Sequence, residues 1–310
     1  MLIGGLAFFL YGMNVMSSGL EKMAGGKLES ALSKMTDNLF KSMGLGAVIT
    51  IAIQSSSALT VMLVGLVNSG IMHFGKTIGV IMGSNIGTTL TAWITSLAGI
   101  ESSNIGMQLL KPANFSLVFA FVGILLIMLS KTQKKKDTGS ILVGFAVLMA
   151  GMGLMGDAME PLSEMPQFQE ILVAFNNPIL GVLVGAGFTG IIQSSAASVA
   201  ILQSFAMTGA VSYSMAIPII MGQNIGTCVT AMISSIGASK DARRAALIHL
   251  YYCLTKTSVF MIGFYSIHAF VKFPFMEGFI TSAGVATVHS LFNIVACIVF
   301  LPISQLFVKL

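Results

Sequence analysis

The sequence has 310 residues, of which 55% are hydrophobic and only 9% are charged, and its mean hydropathy is +0.91. Soluble globular proteins have about a quarter of their residues charged, so this composition excludes that class and predicts an integral membrane protein. The net charge of +5 comes from clustered lysines and arginines, which indicate membrane orientation and argue against nucleic-acid binding.

Long apolar segments decide the fold class. Segments of about 20 apolar residues fit helices that cross a hydrocarbon core of about 30 Å. The alternation of period two that a membrane β-barrel needs is absent, so we predict an all-α polytopic membrane protein. Its three cysteines, Cys228, Cys253 and Cys297, lie within apolar runs and predict neither a disulfide framework nor a metal site.

The chain begins with an apolar segment at residues 2–20. It lacks the basic start and the cleavage site of a signal peptide, so we interpret it as a mature membrane helix. Residues 21–41 carry Leu28, Leu32 and Met35 at helical spacing, which predicts an amphipathic helix at the membrane interface.

Residues 44–70 are apolar except for a polar run made of Gln54, Ser55, Ser56 and Ser57. Unpaired polar groups are costly inside a membrane, and non-helical backbone is tolerated there only against protein or a water-filled cavity. We therefore predict a re-entrant hairpin whose tip is this polar run.

The next segment, residues 77–97, is predicted to span the membrane. Its residues 83–89 read Gly-Ser-Asn-Ile-Gly-Thr-Thr. Because glycine, asparagine and hydroxyl residues form helix poorly, we expect local unwinding here and a broken transmembrane helix. A loop over residues 98–112 and a helix over residues 113–129 then lead to a basic loop with Lys131, Lys134, Lys135 and Lys136.

The sequence then repeats itself at a constant offset of 139 positions. Gly12 corresponds to Gly151 and Gln54 to Gln193, and residues 82–96 share ten of fifteen positions with residues 221–235. We predict two repeats in one transport domain. Residues 1–138 hold a helix, an interfacial helix, a hairpin, a broken helix and a helix. Residues 139–310 hold the second repeat, with a hairpin at 179–209, a broken helix at 214–236 and C-terminal helices at about 245–270 and 279–307.

Charge predicts that the two repeats have opposite orientation. If the basic loop is cytoplasmic, the polar stretch after residue 155 lies outside. All charged residues of this stretch are acidic. The matching stretch of the first repeat carries lysines, and a second basic loop with Lys240, Arg243 and Arg244 again falls inside. We therefore predict an inverted-topology repeat in the cell inner membrane, and many secondary transporters build a site near the bilayer midplane from such a repeat.

Two hairpin tips that enter from opposite faces would meet near that midplane. Hydroxyls, side-chain amides and helix N-termini could hold a tetrahedral oxyanion there. The predicted ligands of the anion are Gln54, Ser55, Ser56, Ser57, Gln193, Ser194 and Ser195. No carboxylate occurs between Asp37 and Glu101 or between Glu170 and Lys240, so we expect a neutral site that needs mobile cations. The predicted sodium ligands are Asn85, Thr88, Thr89, Asn224, Thr227, Gln54 and Gln193.

Plainer interpretations exist for these residues. Serines in membrane helices often only bond to a carbonyl one turn back, although two copies in register argue against that here. His249 and His289 could join a serine in an intramembrane hydrolase, but a role in helix packing through hydrogen bonds is favoured. Lys256 could bind a carbonyl, reach toward the membrane surface or attract an anion, and these alternatives stay open.

The motifs resemble those of the type II sodium-phosphate cotransporter family in its bacterial branch. The likeness rests on Gln-Ser-Ser at 54–56 and 193–195, and on the Gly-x-Asn-Ile-Gly-Thr blocks at 83–88 and 222–227. The family implies phosphate as substrate, sodium as the coupling ion and the two hairpins as the site. We expect no other cofactor and no transition metal. Two departures are Ala196 in place of Ser57 and Cys228 in place of Thr89.

We therefore expect a sodium-coupled importer of inorganic phosphate that works by alternating access and is not an enzyme. Its expected partners are phosphate, sodium ions and the lipid bilayer, and a homodimer is left open. A sodium symporter for another small oxyanion or a carboxylate, a passive channel and the serine-histidine hydrolase are the alternatives.

Overall fold

In the computed structural model, residues 1–24, 32, 38–99, 112–163, 165 and 176–309 are described, and nearly all of them are helical. The β contact in this part of the chain is an isolated bridge between Ser212 and Phe279. The helices are α1 (Leu2–Ala24), α2 (Leu39–Ile53), α3 (Ser56–Asn68), α4 (Thr77–Ser96), α5 (Pro112–Leu129), α6 (Gln133–Ser163), α7 (Pro178–Ile192), α8 (Ser195–Met207), α9 (Tyr213–Gly226), α10 (Cys228–Ser234), α11 (Lys240–Val271), α12 (Ser282–Phe300) and α13 (Ser304–Lys309). The all-α prediction is confirmed.

Five segments among the described residues are long and apolar enough to cross a membrane. They are Leu2–Met23, Gln133–Pro161, Tyr213–Ser234, Lys240–Val271 and Ser282–Phe300. The chain is therefore a multi-pass membrane protein. The predicted span at 77–97 is present as α4 but is not one of these five, and most of its residues are buried against protein.

The polar run of the first repeat lies at a sharp junction between α2 and α3. Asn38 caps the start of α2 by accepting hydrogen bonds from two backbone N–H groups. The helix ends when Gln54 adopts a left-handed conformation (φ 52°, ψ 27°). Ser55 is then extended, and its Oγ accepts a hydrogen bond from the N–H of Ala58 at 3.1 Å, which starts α3. Asparagine and serine are strong N-caps, so these residue types explain the two helix starts.

The second repeat reproduces this junction between α7 and α8. Asn177 caps α7, and Gln193 ends it in the same left-handed conformation (φ 58°, ψ 21°). The Oγ of Ser194 accepts a hydrogen bond from the N–H of Ala197 at 3.2 Å. A non-glycine residue in this region is uncommon, so its recurrence at both glutamines marks a conformation that the surroundings enforce.

Glycines bring α2 and α4 into close contact. A Cβ atom added at Gly46 would overlap the carbonyl oxygen of Val80, and one at Gly83 would overlap that of Met43. The equivalent positions of α7 and α9 repeat this pattern, since Gly185 faces Ile219 and Gly222 faces Val182. Small residues allow such backbone approach between membrane helices.

The prediction of local unwinding at residues 83–89 is wrong for the first repeat, because α4 is one continuous helix. Its hydroxyls are satisfied within the helix: Ser84 donates to Ile81 O at 2.9 Å and Thr88 donates to Ser84 O at 2.9 Å. In the second repeat α9 and α10 are separated only at Thr227, whose N–H still bonds Gln223 O at 3.2 Å. The glycines serve helix packing and not chain unwinding.

The first helices of the two repeats, α1 and α6, pack antiparallel. A Cβ at Gly12 would lie 2.6 Å from Gly144 O, whereas one at Gly5 would lie 3.0 Å from Gly151 O. Residue numbers therefore rise along α1 as they fall along α6. Gly5 and Gly12 correspond to Gly144 and Gly151 at the offset of 139, so the two contacts exchange when the repeats are exchanged.

Several boundaries differ from those expected from the sequence. The lysines at 134–136 are exposed, as expected, but they lie in the first turn of α6 and not in a loop. The second basic cluster lies in the first turns of α11, which begins at Lys240. The predicted helix at 279–307 is interrupted after Phe300. Most of the predicted interfacial helix at 21–41, including Leu28 and Met35, lies outside the described residues.

The glycine contact between α2 and α4 gives a test of the packing. Gly83→Ala should lower the free energy of unfolding by about 1–3 kcal/mol, because its Cβ meets backbone that has to move. The measurement is the fraction of monodisperse protein left in detergent after stepwise heating. Gly65→Ala in α3 is the control, since nothing lies within 4 Å of its added Cβ and alanine favours helix. Equal melting of the two variants would contradict this packing.

Candidate functional site

The two polar runs line one cavity of about 420 Å³. The first run contributes Gln54, Ser55, Ser56 and Ser57 to its wall, and the second contributes Gln193, Ser194 and Ser195. These residues are 139 positions apart in sequence, and the fold brings them to the same space. All seven residues predicted as anion ligands therefore meet in the structure.

Two helix N-termini point their first turns at this cavity, because α3 starts at Ser56 and α8 starts at Ser195. The first N–H groups of a helix have no partner inside the helix and carry a partial positive charge. Such ends favour an anion, and the adjacent hydroxyls can add hydrogen bonds to it. The arrangement can hold an oxyanion without a basic side chain in its wall.

The two glutamines differ in their side-chain contacts. Gln54 is buried, and its Oε1 accepts a hydrogen bond from Thr91 Oγ1 at 2.8 Å. Gln193 is exposed to the cavity side. Thr230, which corresponds to Thr91, has a buried Oγ1 with no hydrogen-bond partner among the described residues. In the first repeat a hydrogen bond thus joins the glutamine to the neighbouring helix α4. The equivalent hydrogen bond between Gln193 and Thr230 is absent from the second repeat.

The predicted sodium ligands are only partly in the cavity wall. Thr88 lines the cavity together with Gln54 and Gln193. Asn85 lies one turn before Thr88 on α4 and is buried, and Asn224 holds the same place on α9. The structure leaves Asn85, Thr89, Asn224 and Thr227 outside the lining of this cavity.

Polar residues of α1 were missed by sequence reasoning. Asn14, Ser17, Ser18 and Glu21 also line the cavity. Their signal was present, because Asn14, Ser17 and Glu21 recur at spacings of three and four within an otherwise apolar helix. We expected a site without a carboxylate, but the exposed side chain of Glu21 forms part of the cavity wall.

Lys256 is fully buried in the middle of α11. Its Nζ donates hydrogen bonds to Asn224 Oδ1 at 2.9 Å and to Asn293 Oδ1 at 2.8 Å. The alternative in which this lysine reaches toward the membrane surface is therefore wrong, because its ammonium has no exposed area. It binds carbonyl oxygens of side-chain amides and does not line the cavity.

The histidines give no support to a hydrolase. His249 and His289 are buried and do not line the cavity that holds the serines. Both ring nitrogens of His249 and Nδ1 of His289 lack hydrogen-bond partners within the described part of the chain. The expected packing role through histidine hydrogen bonds is thus not seen for His249.

His249 also lies beside two cysteines. The ligand atoms of Cys228, His249 and Cys253 are all within 4.8 Å of one another, and the three residues are buried. Sequence reasoning did not expect this grouping, because the residues come from two helices. Lys256 follows Cys253 by one turn, so a metal ion there would lie close to a fixed ammonium group.

Comparisons with known proteins show what the chain is similar to. A family model described as Na+/Pi-cotransporter matches two successive stretches, residues 8–157 and 150–280. The uncharacterized protein YqeW of Bacillus subtilis is 29% identical over 98% of this chain and 94% of its own length. No solved structure matches the chain.

Two further relatives carry functional names. The putative inorganic phosphate export protein YjbB of Escherichia coli is 24% identical over 97% of this chain. The present chain spans 53% of that relative's length. The sodium-dependent phosphate transport protein 2A of Rattus norvegicus is 35% identical over 31% of this chain and 16% of its own length.

The cavity can be tested by thiol labelling. Ser57→Cys and Ser195→Cys should react with a hydrophilic methanethiosulfonate at least about tenfold faster than Ser84→Cys, because thiol reactivity follows exposure. Both tip serines are partly exposed in the cavity, whereas Ser84 is buried. The three native cysteines are buried and give a low background. Equal rates at positions 57, 195 and 84 would rule out a shared aqueous cavity at the tips.

Proposed function

The chain belongs to the Na+/Pi-cotransporter family, and we propose that it imports inorganic phosphate by coupling it to sodium ions. The observation that carries the proposal is the cavity shared by the two Gln-Ser-Ser tips. The name of the rat relative supports sodium as the driving ion, and the name of the Escherichia coli relative supports phosphate as the substrate.

Phosphate is proposed to sit between the N-termini of α3 and α8. Its oxygens would accept hydrogen bonds from Ser56 and Ser195 and from the unpaired N–H groups beside them. Ser55 and Ser194 already accept capping bonds from the backbone, but their hydroxyl hydrogens are still available to the anion. Gln54, Ser57 and Gln193 complete the proposed wall.

Sodium is proposed to bind behind the first tip, where oxygen ligands cluster. Gln54 Oε1 and Thr88 Oγ1 keep free lone pairs beside their observed hydrogen bonds, and Asn85 lies one turn before Thr88. The ion would offset the charge of the anion in a wall without basic groups. The negative charge of Glu21, which lines the cavity, would attract cations toward this site.

Alternating access is proposed to come from an inverted repeat with two re-entrant hairpins. Antiparallel packing of the equivalent helices α1 and α6 supports the inversion, because their contacts exchange with the repeats. The different hydrogen bonding of the two glutamines supports two states of the carrier. Gln54 is hydrogen-bonded to Thr91, whereas Gln193 is not hydrogen-bonded to Thr230. During transport the hydrogen bond at Gln54 would break and the equivalent bond at Gln193 would form.

Direction follows from the gradients. A coupled carrier moves phosphate down the sum of the phosphate and sodium gradients, so a sodium gradient directed inward drives import. Export is the second candidate, because YjbB is named an export protein. We place the chain in the inner membrane with both basic clusters in the cytoplasm, and a homodimer stays an expectation.

Proteoliposomes test the coupling. Phosphate uptake should require an inward sodium gradient, and replacing sodium with potassium or choline should abolish it.

Ser56→Ala and Ser195→Ala should each raise the half-saturating phosphate concentration about tenfold, which equals the loss of one charge-assisted hydrogen bond. Ser140→Ala is the control, because this serine bonds its own helix outside the cavity.

Equal uptake in potassium would remove the symport proposal and favour a passive channel. Wild-type transport in both serine variants would remove the tips from the site. Accumulation that occurs only when sodium and phosphate start on the inside would favour export. Competition by sulfate or a carboxylate with affinity above that of phosphate would favour a symporter for another anion.

The inversion is tested by cysteine accessibility in cells. Lys41→Cys and Leu180→Cys occupy equivalent exposed positions at the starts of α2 and α7, 139 residues apart. An impermeant thiol reagent added outside should label one and not the other. The unlabelled one should react after permeabilisation, which serves as the control. Labelling of both from the same side would contradict an inverted repeat.

A further inference from the structure

The Lys256 ammonium occupies a site built for a cation. Its two hydrogen-bond acceptors, Asn224 and Asn293, come from α9 and α12. Each asparagine fixes its own orientation, because Asn224 Nδ2 donates to Ile220 O at 3.0 Å and Asn293 Nδ2 donates to His289 O at 2.9 Å. Both carbonyl oxygens are thereby turned toward the ammonium group.

Aromatic rings also lie near the charge. The Nζ atom lies 5.1 Å from the ring centroids of Tyr252 and Phe292, within the range of a cation–π contact. In the described part of the chain, no carboxylate forms an ion pair with Lys256. A buried charge without a counter-ion is costly, and ionisable residues at membrane depth usually serve function. Packing alone does not account for this lysine.

The first repeat has the same asparagine but no such lysine. Asn85 Nδ2 donates to Ile81 O at 3.2 Å, as Asn224 does to Ile220. Thr88 and Thr227 also make matching bonds to their own helices, both at 2.9 Å. The residue that corresponds to Lys256 in the first repeat is Leu117, which is 68% exposed. Asn85 and Asn224 therefore hold equivalent positions with the same orientation, and in the described part of the chain a lysine meets only Asn224.

We propose that Lys256 is a built-in cation that takes the place of a coupling sodium ion in the second half of the site. This inference rests on the proposed sodium-coupled function. Sodium then binds in the first half, at Asn85, and Asn224 is not a sodium ligand in the wild-type protein. Because Lys256 does not line the cavity, it acts on the anion through space and not as a direct ligand.

The replacement has a consequence for coupling. A tethered ammonium keeps its positive charge in the second half of the site throughout the transport cycle, but it cannot be released on the other side of the membrane. It therefore contributes to anion affinity and adds no energy from the sodium gradient. The protein is expected to couple fewer sodium ions to each phosphate than a carrier with mobile ions in both halves.

Sodium binding to purified protein tests this directly. Wild-type protein should bind about one radioactive sodium ion per chain, and Lys256→Ala should bind about two and show a steeper dependence of phosphate uptake on sodium concentration. Lys256→Arg keeps a cation and should remain at about one. Lys240→Met, which removes an exposed positive charge from the same helix, is the control for net charge. Unchanged binding in Lys256→Ala would overturn the proposal.

A second pair of variants keeps the test independent of whether Lys256→Ala folds. Asn85→Asp places a carboxylate beside the proposed sodium ion and should raise sodium affinity about tenfold. Asn224→Asp places the same carboxylate beside Lys256, which pairs with it, so sodium affinity should stay within about twofold of wild type. An equal increase of sodium affinity in both variants would overturn the assignment of Lys256 as a built-in cation.

The outcomes separate this inference from the proposed function. If wild-type protein binds no sodium and its uptake ignores sodium, the symport proposal fails. If wild-type uptake depends on sodium but the two asparagine variants behave alike, symport stands and the built-in cation is rejected.

Discussion

A polar group at membrane depth has no water to bond with, and this constraint governs most of the structure. Hydroxyls along α4 bond back to carbonyls of their own helix. Gln203 of α8 is fully buried, and its amide N–H group reaches Ala92 O on α4 and Ser282 O on α12. Where the chain leaves helical geometry at Gln54 and Gln193, serine caps satisfy the next helix start. Some of the remaining polar side chains, such as Gln193, lie in the cavity wall, whereas buried groups of Thr230 and His249 outside it stay unpaired within the described part of the chain.

Close backbone contact makes this arrangement rigid. The glycines of α2 and α4, and their counterparts in α7 and α9, let carbonyl groups of one helix rest against the backbone of the next. Each short helix before a polar run is therefore packed against a partner helix along its glycines. The tips themselves are joined to these supports by few bonds, and in the second repeat the bond between Thr230 and Gln193 is absent. The two halves therefore share the glycine packing and differ in how the glutamine of each polar run is bonded.

Duplication supplies two similar halves, and the differences between them carry the specific chemistry. Gln54 is tied and Gln193 is free, although both backbones have the same left-handed conformation. Asn85 and Asn224 are oriented alike, but among the residues that the structure describes a lysine meets only Asn224. The two halves therefore share a backbone plan and differ in the side chains that meet at the equivalent positions.

The sequence alone determined the membrane class, the helical fold, the duplication and the residues at the two tips. These depend on composition and on local patterns, since apolar length selects spanning helices and a polar run inside one is costly wherever it occurs. It misjudged residues 83–89, because the helix-breaking tendency of glycine was outweighed by helix packing that only the partner α2 reveals. It overlooked Asn14 and Glu21, whose role depends on which side of α1 faces the tips.

Only the tertiary structure decided which of these groups meet. The environment of Lys256 is formed by helices α9, α11 and α12, and the tie between Gln54 and Thr91 joins residues 37 positions apart. Pairings of this kind depend on how helices rotate and cross, which is set by side-chain packing over the whole core and leaves no local trace in the sequence. For the same reason the sequence could name a lysine in the membrane but could not tell which oxygens its ammonium binds.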